Sequence, residues 1–447
     1  MTGPRVRATV AIAFFAYVVL IRTYDITTTF LMLGEQTRDW TIALGGWESI
    51  PLTGTPSTAG GRGFGPVYYW ILWLGRHLIG PFTDNLPHAG GLTVALLQSI
   101  ADTWLLVALW RRLPDTLALA MCLFVASAPF DVGLSAVIWN PPVSAALVKM
   151  AIAQMITLGA TPPLWRIAAV SATAWLAVQA HSSAAFVSAP LLATLVLPLL
   201  LTKQWRRAVQ IGSLTVGVIV LLQIPYLVSQ LQSPESRVGP AAVIDSLASG
   251  ANFDVVKSYS MVVNATGDLL VHRQGGWTFT WVTLLAAAIV IWRCRRQAEW
   301  LALSVGAVAT ATLLFSTWTR PYDSYWFLTL TSSLTLIYGL AVAALPHARS
   351  LQAVSIAVLT AVILWQPARI DESRGFFKYP EYQPMVVGSR ELARLAPVLR
   401  DIRVTFDVHP TMDKYFMYGI LGGRIDPEAR QVAHIYPDGH VTLEPVP

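Results

Sequence analysis

Charged residues are scarce in this chain of 447 residues, where Asp, Glu, Lys and Arg together make up 13%. Soluble domains carry about 25% charged residues, roughly twice that share. Apolar residues take their place, with 54% hydrophobic residues and a mean hydropathy of +0.54. Several separate apolar runs reach the roughly 17–25 residues that cross a bilayer. The composition therefore excludes an ordinary soluble protein and predicts an α-helical polytopic membrane protein.

Cysteine is also scarce, with two residues in the whole chain. Cys122 lies in an apolar run and Cys294 in the basic cluster RCRR, and neither setting suits a disulfide or a metal site. The net charge of +6 does not indicate a nucleic-acid partner, because the arginines stand in short clusters between apolar runs. This is the positive-inside pattern of membrane proteins. Membrane lipids are therefore expected as partners, and nucleic acid is not.

The basic clusters determine the predicted topology. When they are placed on the cytoplasmic side, about eleven transmembrane helices follow, with the N-terminus in the cytoplasm. The second, third and eighth of these spans are predicted at about 90–110, 115–130 and 277–292. This assignment requires the short aromatic run 66–80 to form a helix that lies in the interface rather than crossing the membrane. The transmembrane domain is then predicted over 1–367, with long outer loops at 24–88 and 228–276.

The polar segment 368–447 is predicted to form a small α/β domain on the periplasmic or extracellular side. A helix is expected over 389–400 and a shorter one near 411–421. Strand-like runs follow over 404–408 and 431–445, in part with the alternation of a half-buried strand.

Polar residues that are unusual for a membrane protein gather in the predicted outer loops. The first loop contains GEQTRDW, which places Glu35, Arg38 and Asp39 on one face of a helix. Ionisable groups at membrane depth are costly and tend to mark function. The exceptions within the predicted spans are Asp102, Lys149 and Gln179. A single site at the outer face is therefore predicted.

Two short motifs resemble those of GT-C-type glycosyltransferases, the membrane enzymes that use polyprenyl-phosphate-linked sugars. The chain reads EQTRD at 35–39, where relatives such as aminoarabinose transferases and protein O-mannosyltransferases often read DE-x-R-Y. It reads GPVYYW at 65–70, where they read PPLYYWL. Gln36 replaces the second acid of the first motif, and Asn140 stands where relatives often carry an Asp. These departures weaken the case for a bound metal. No cofactor is expected, and a divalent metal is left as the alternative.

The resemblance implies that a sugar moves from a polyprenyl-phosphate donor to a lipid, glycan or protein acceptor at the outer face of the inner membrane. In that chemistry a carboxylate takes the acceptor proton, and Glu35 is the candidate base with Asp39 in reserve. Guanidinium groups bind phosphate oxygens bidentately, so three arginines are candidates to hold the donor phosphate. These are Arg38, Arg62 and Arg320. The other predicted contacts to the donor are Asn140, His181, Tyr322 and Asp323.

The glycine-rich segment 60–65 follows no predicted strand, so it is not a nucleotide-binding fingerprint. It is expected to form a mobile loop over the active site.

Two other functions are compatible with the sequence. A transporter or lipid flippase without covalent chemistry would direct polar residues toward a central pathway. A non-catalytic assembly subunit would tolerate the combined loss of Glu35, Asp39 and Arg320. Convergence of Glu35, His181 and Arg320 in one cavity would favour the enzyme over the subunit.

Overall fold

A computed structural model describes residues 3–24, 26, 34–56, 62–83, 87–159, 161–232, 253–271, 276–318, 322–344, 348–375, 402–406, 431–436 and 440–445. The first helices are α1 (Pro4–Thr23), α2 (Gly34–Leu44), α3 (Val67–Leu78), α4 (His88–Leu109), α5 (Asp115–Ala126), α6 (Pro129–Ser135), α7 (Asn140–Ile156) and α8 (Leu164–Ala180). The later helices are α9 (Ala185–Leu201), α10 (Trp205–Gln232), α11 (Val255–Val271), α12 (Gly276–Cys294), α13 (Ala298–Leu301), α14 (Ala307–Phe315), α15 (Thr331–Ala343) and α16 (Ala348–Gly375). A π-helical turn, Ala302–Gly306, joins α13 to α14, and short 3₁₀ turns include Trp47–Ser49, Ser182–Ala184 and Ser324–Leu330.

Seven helical segments within these ranges are long and apolar enough to cross a membrane, or eight if the bent pair α5–α6 counts as one span. The prediction of a multi-pass helical membrane protein is therefore confirmed, whereas the predicted count of about eleven spans is not. Three further helices, α7, α8 and α11, have 17 residues each. That length is at the lower limit for crossing a bilayer.

The predicted third span, 115–130, is not one continuous helix. It bends by 59° between α5 and α6, where Pro129 opens the new helix. Proline has no backbone N–H and disrupts the preceding helical turn. The carbonyl of Ala126, at the break, accepts a hydrogen bond from Nη2 of Arg22 at 3.1 Å. Backbone groups inside a membrane need such partners, so Arg22 helps to stabilise the break.

Four buried charges connect α1, α4, α6 and α7, and we call them the buried charge network. Arg22 lies 2.7 Å from Asp102 and 2.6 Å from Asp131, measured from Nη2 to the nearer carboxylate oxygen. Lys149 lies 2.8 Å from Asp102 and 3.2 Å from Asp131. All four side chains are at most 1% exposed. Two cations balance two anions, so the network is neutral and no charge is left unpaired in the core.

The aromatic helix α3 has 12 residues. At 1.5 Å per residue it is about 18 Å long, which is too short for a hydrocarbon core of about 30 Å. This length agrees with the prediction of a non-spanning helix. One face buries Tyr68, Tyr69 and Leu72, while Leu74 and Leu78 on other faces are exposed. The buried face packs α3 against α2 and α4.

One end of the bundle is held together by arginines. Arg7 at the start of α1 forms an ion pair with Asp115 at the start of α5, at 2.7 Å. Nε of Arg112 donates to the carbonyl of Ile156 at 3.2 Å, and Nη1 of Arg166 donates to that of Leu158 at 3.3 Å. These arginines belong to the clusters predicted to be cytoplasmic. Which side of the membrane this end faces stays a prediction.

The C-terminal segment forms a three-stranded sheet of β1 (Ile402–Phe406), β2 (Gln431–Ile435) and β3 (Val441–Pro445), in that order. β1 and β2 are parallel, whereas β2 and β3 are antiparallel. The predicted strand regions therefore do form strands. The predicted helices at 389–400 and 411–421 lie outside the described residues, and the α/β domain over 368–447 stays a prediction.

Candidate functional site

Asp39 is the carboxylate that the first-loop helices bury. Its side chain is 1% exposed, on the face of α2 that packs against α3. Oδ1 accepts hydrogen bonds from Nε of Arg38 at 2.8 Å and from the Tyr69 hydroxyl at 3.1 Å. Nη2 of Arg38 also lies 2.7 Å from the same oxygen. These contacts fix the orientation of the carboxylate.

Burial changes the acidity of this group. It raises the pKa of Asp39 to about 6, while the charge of Arg38 and the hydrogen bonds from Arg38 and Tyr69 oppose the rise. The charge of Glu35, one turn earlier, adds to the rise. A general base acts best when its pKa lies near the working pH. Asp39 is therefore ionised at neutral pH and able to take up a proton.

Two adjacent tyrosines of α3 surround Asp39. The rings of Tyr68 and Tyr69 pack with their centroids 5.4 Å apart. Burial, and then the nearby charge of Asp39, raise the pKa of Tyr68 well above its usual value. The Tyr68 hydroxyl is buried and interacts with the Asp39 carboxylate. Both tyrosine hydroxyls therefore lie beside this carboxylate.

Glu35 and Arg62 lie at the exposed edge of the same cluster. Glu35 is exposed and accepts a hydrogen bond from Nε2 of Gln36 at 3.3 Å. Arg62 is exposed, and its backbone pairs with Pro56. Its charge acts on Tyr69, where it lowers a pKa that burial raises. The structure thus brings together four of the predicted site residues: Glu35, Arg38, Asp39 and Arg62.

A second cluster joins Asn140 and His181. Nδ2 of Asn140 donates to the carbonyl of Ala180 at 2.9 Å, which ties the start of α7 to the end of α8. His181 follows in the turn before α9, with Nδ1 2.7 Å from Oγ of Ser183. Burial lowers the pKa of His181 to about 4, so the ring is neutral at pH 7. It offers a hydrogen bond to a ligand and no positive charge.

The glycine-rich segment connects the first loop to these helices. A Cβ on Gly65 would lie 2.4 Å from Cδ of Gln179, so only glycine fits there without displacing that side chain. The carbonyl of Phe64 accepts a hydrogen bond from Nε2 of Gln223 on α10 at 2.8 Å. Residues 62–65 are thus anchored to α8 and α10. The mobile loop expected over 60–65 stays a prediction, and residues 60 and 61 lie outside the described residues.

Three of the predicted site residues follow α14, and the structure describes two of them. Tyr322 is 40% exposed and lines an open pocket of about 800 Å³ beside α11. Asp323 is exposed and precedes the 3₁₀ turn Ser324–Leu330. The turn carries Tyr325, whose ring contacts His181 at a centroid distance of 6.3 Å. Arg320 lies outside the described residues, so its predicted convergence with Glu35 and His181 stays untested.

The described residues do not fit a metal ion. They contain no group of three or more His, Cys, Asp or Glu side chains arranged to hold one. Oδ1 of Asp39 is already bonded to a cation and a hydroxyl.

Sequence reasoning assigned the tyrosines of α3 to interfacial anchoring and missed their contact with Asp39. A signal was present, because two tyrosines rather than phenylalanines at 68–69 imply hydroxyls that need partners when buried. It also missed that Arg22 and Asp131 pair with Asp102 and Lys149. Buried charges in a membrane protein pair with one another, so the two mid-span residues could have prompted a search for partners.

No protein-family model matches the sequence, and no curated protein matches it significantly. Solved structures do. ArnT from Cupriavidus metallidurans bound to undecaprenyl phosphate matches over 94% of this chain and 75% of that chain, with a TM-score of 0.50 and 16% identity. The Archaeoglobus fulgidus oligosaccharyltransferase in its apo form matches over 95% and 65%, with a TM-score of 0.57 and 11% identity. The archaeal oligosaccharyltransferase AglB in complex with an inhibitory peptide and a dolichol-phosphate matches over 94% and 64%, with a TM-score of 0.51 and 10% identity.

The chain thus spans about two thirds of the archaeal enzyme's length. Identities this low establish the fold alone. The chain therefore has the fold of the GT-C glycosyltransferases, as its two sequence motifs predict.

Proposed function

We propose that this protein is a membrane glycosyltransferase that moves a sugar from a polyprenyl phosphate to a hydroxyl or amine of an acceptor. The observation that carries the proposal is the buried carboxylate of Asp39 with a pKa of about 6, beside Arg38 and Arg62. The fold supports it, since two matching structures hold undecaprenyl phosphate or dolichol-phosphate. In this proposal the site faces the periplasmic side of the inner membrane, and the acceptor is a lipid, a glycan or a protein.

We assign the general base to Asp39 first and to Glu35 second, the reverse of their order in the sequence argument. Asp39 is held by Arg38 and Tyr69, and its pKa suits proton uptake near neutral pH. Glu35 is exposed and has a weaker contact, at 3.3 Å to Gln36. The hydrogen bonds from Arg38 and Tyr69 to Asp39 both fall on Oδ1. Oδ2 is therefore the atom that we assign to the acceptor proton.

The reaction then proceeds by displacement at the anomeric carbon. The acceptor oxygen or nitrogen forms a bond to that carbon while its proton moves to Asp39. The bond from the anomeric carbon to the phosphate oxygen breaks, and polyprenyl phosphate leaves with one more negative charge. Arg38 loses its anionic partner once Asp39 is protonated. Its guanidinium can then stabilise the leaving phosphate, together with Arg62 at the exposed edge.

A transporter or flippase is less well supported. Such a protein would present charged groups to a central pathway. The mid-span charges Asp102 and Lys149 belong to the buried charge network and are at most 1% exposed. They face each other and their partners and line no pathway among the described residues.

The test is sugar transfer by the full chain in liposomes that contain polyprenyl-phosphate sugars and extracted cell-envelope acceptors. Removing a general base typically costs about 10²–10⁴-fold in rate. Asp39→Asn is expected to lower the transfer rate by this factor. Glu35→Gln is expected to lower the rate less. Glu48→Gln is the matched control, because Glu48 is an exposed acid of the same loop outside the cluster. Wild-type turnover by Asp39→Asn would exclude Asp39 as the base, and an inactive Glu35→Gln beside it would return that role to Glu35.

A further inference from the structure

The open pocket beside α11 is separate from the Asp39 cluster. It lies between α11, the start of α12 and the segment 322–324, and its volume is about 800 Å³. Pockets for small molecules typically measure about 300–1,000 Å³. Eight of its twelve lining residues carry polar groups on their side chains. The accessible surface of the pocket is nevertheless mostly apolar, with polar groups at a few points, and small-molecule sites are typically lined in this way.

Asn264 provides a fixed acceptor in the wall of this pocket. Its Nδ2 donates to the carbonyl of Ser260 at 2.8 Å and to Oγ1 of Thr280 at 3.0 Å. These two contacts orient the amide, because only the nitrogen can donate to both oxygens. Oδ1 is then left buried, with no hydrogen-bond partner among the described residues. It is free to accept a hydrogen bond from a ligand hydroxyl.

Two aromatic rings line the same pocket. Trp277, at the start of α12, is 60% exposed, and Tyr322 is 40% exposed. Each ring offers an apolar face with a polar group at its edge. A sugar has the complementary surface, with C–H groups on the faces of its ring and hydroxyls around its rim.

Three charged side chains lie among the described lining residues. Asp254 and Asp268 carry two negative charges, and Lys257 carries one positive charge. Oδ1 of Asp254 accepts a hydrogen bond from the backbone N–H of Lys257 at 2.9 Å, as the cap of α11. The wall thus offers a ligand both hydrogen-bond donors and acceptors.

We infer that this pocket binds the saccharide part of the acceptor. Its position fits this role, because Tyr322 and Ser324 in its wall adjoin Tyr325, which packs against His181. The acceptor is then a glycan or a glycolipid rather than a protein side chain. Saccharide binding stands by itself, whereas its role for an acceptor rests on the proposed function.

The experiment measures binding of mannotriose, maltotriose, lactose and N,N′-diacetylchitobiose to the full chain in detergent, by saturation-transfer NMR. At least one of these sugars is expected to bind. Trp277→Ala and Asn264→Leu are each expected to weaken that binding about tenfold, equivalent to about 1.4 kcal/mol. Trp281→Ala is the matched control, because Trp281 lies one turn further along α12, is 62% exposed and is not in the pocket wall. Trp277→Phe keeps an aromatic face. It is therefore expected to fold and to bind the sugar even if Trp277→Ala fails to fold.

Three results would overturn the inference. The first is no binding of any sugar in the panel, and the second is wild-type binding by Trp277→Ala and Asn264→Leu variants that fold normally. The third is displacement of the sugar by farnesyl phosphate. The last would assign the pocket to the donor. Asp39→Asn separates this inference from the proposed function, because it should bind the sugar normally while it loses transfer. Sugar binding by a wild-type protein that transfers nothing would refute the proposed function and leave the saccharide site intact.

Discussion

Replacing Lys149 with methionine would leave two buried carboxylates facing one cation. Nζ of Lys149 lies 2.8 Å from Asp102 and 3.2 Å from Asp131, and it also donates to Oε1 of Gln98 at 3.0 Å. Arg22 would remain as the only positive charge of the network. Breaking a buried ion pair by removing one partner costs about 3–5 kcal/mol, because an uncompensated charge stays buried. We therefore expect Lys149→Met to lower the free energy of unfolding by about that amount.

A double variant tests whether charge balance is the cause. Lys149→Met with Asp102→Asn leaves Arg22 and Asp131, whose shortest contact is 2.6 Å. The double variant should be more stable than Lys149→Met alone, although it changes more atoms. Coupling between residues in direct contact is about 0.5–3 kcal/mol, so the recovery is expected in that range.

The assay is reversible unfolding of the full chain in mixed micelles with increasing dodecyl sulfate, followed by far-UV circular dichroism. Arg7→Met is the matched control, because Arg7 also contacts its Asp115 partner at 2.7 Å but the two side chains are 37% and 23% exposed. Exposed pairs contribute about 0–1 kcal/mol. Equal losses for Lys149→Met and Arg7→Met would refute the reasoning. A double variant less stable than the single one would do the same.

The remaining predictions concern the first loop. Transfer should decline as the pH falls below about 6, because protonated Asp39 can no longer accept a proton, and a pH–rate profile measures this. Tyr69→Phe removes a hydrogen bond that lowers the pKa of Asp39, so the acid limb should move to higher pH; an unmoved limb would assign it to another group. Gly65→Ala should destabilise the protein by about 1–3 kcal/mol in the same unfolding assay, because its Cβ would press against Gln179. Gly217→Ala is its control, with open space around the new Cβ, and should be neutral or stabilising.

The sequence was sufficient for the type of fold and for the bounds of some of the apolar helices. Apolar runs with basic ends leave few alternatives for where a span begins and ends. The helix α4 (His88–Leu109) lies within two residues of the predicted span 90–110. The helix α12 (Gly276–Cys294) lies within two residues of the predicted span 277–292. The break at Pro129 was less visible, because hydropathy stays high across it. A proline alone does not separate a kinked span from two helices, as Pro190 and Pro198 lie inside the continuous helix α9.

The candidate site was predictable in its residue types and not in its contacts. GEQTRDW placed three charges on one face of a helix, but it could not tell which acid would be buried. That depends on α3, which reaches across the loop and buries Asp39 under Tyr69 while Glu35 stays exposed. The buried charge network could not be predicted from the sequence for the same reason. Arg22 and Asp131 are 109 residues apart in the chain and meet only through tertiary packing.

The position of Arg22 also bears on the order in which the chain enters the membrane. Ribosomes deliver α1 first, and Asp102, Asp131 and Lys149 are synthesised only afterwards. Arg22 is the penultimate residue of α1, so its long side chain can reach the head-group region while its partners are missing. α1 can therefore be inserted alone. Its position becomes fixed only when α4, α6 and α7 are inserted and Arg22 forms its ion pairs. A nascent chain that ends before Asp102 should hold α1 loosely, and one that extends past Lys149 should hold it firmly.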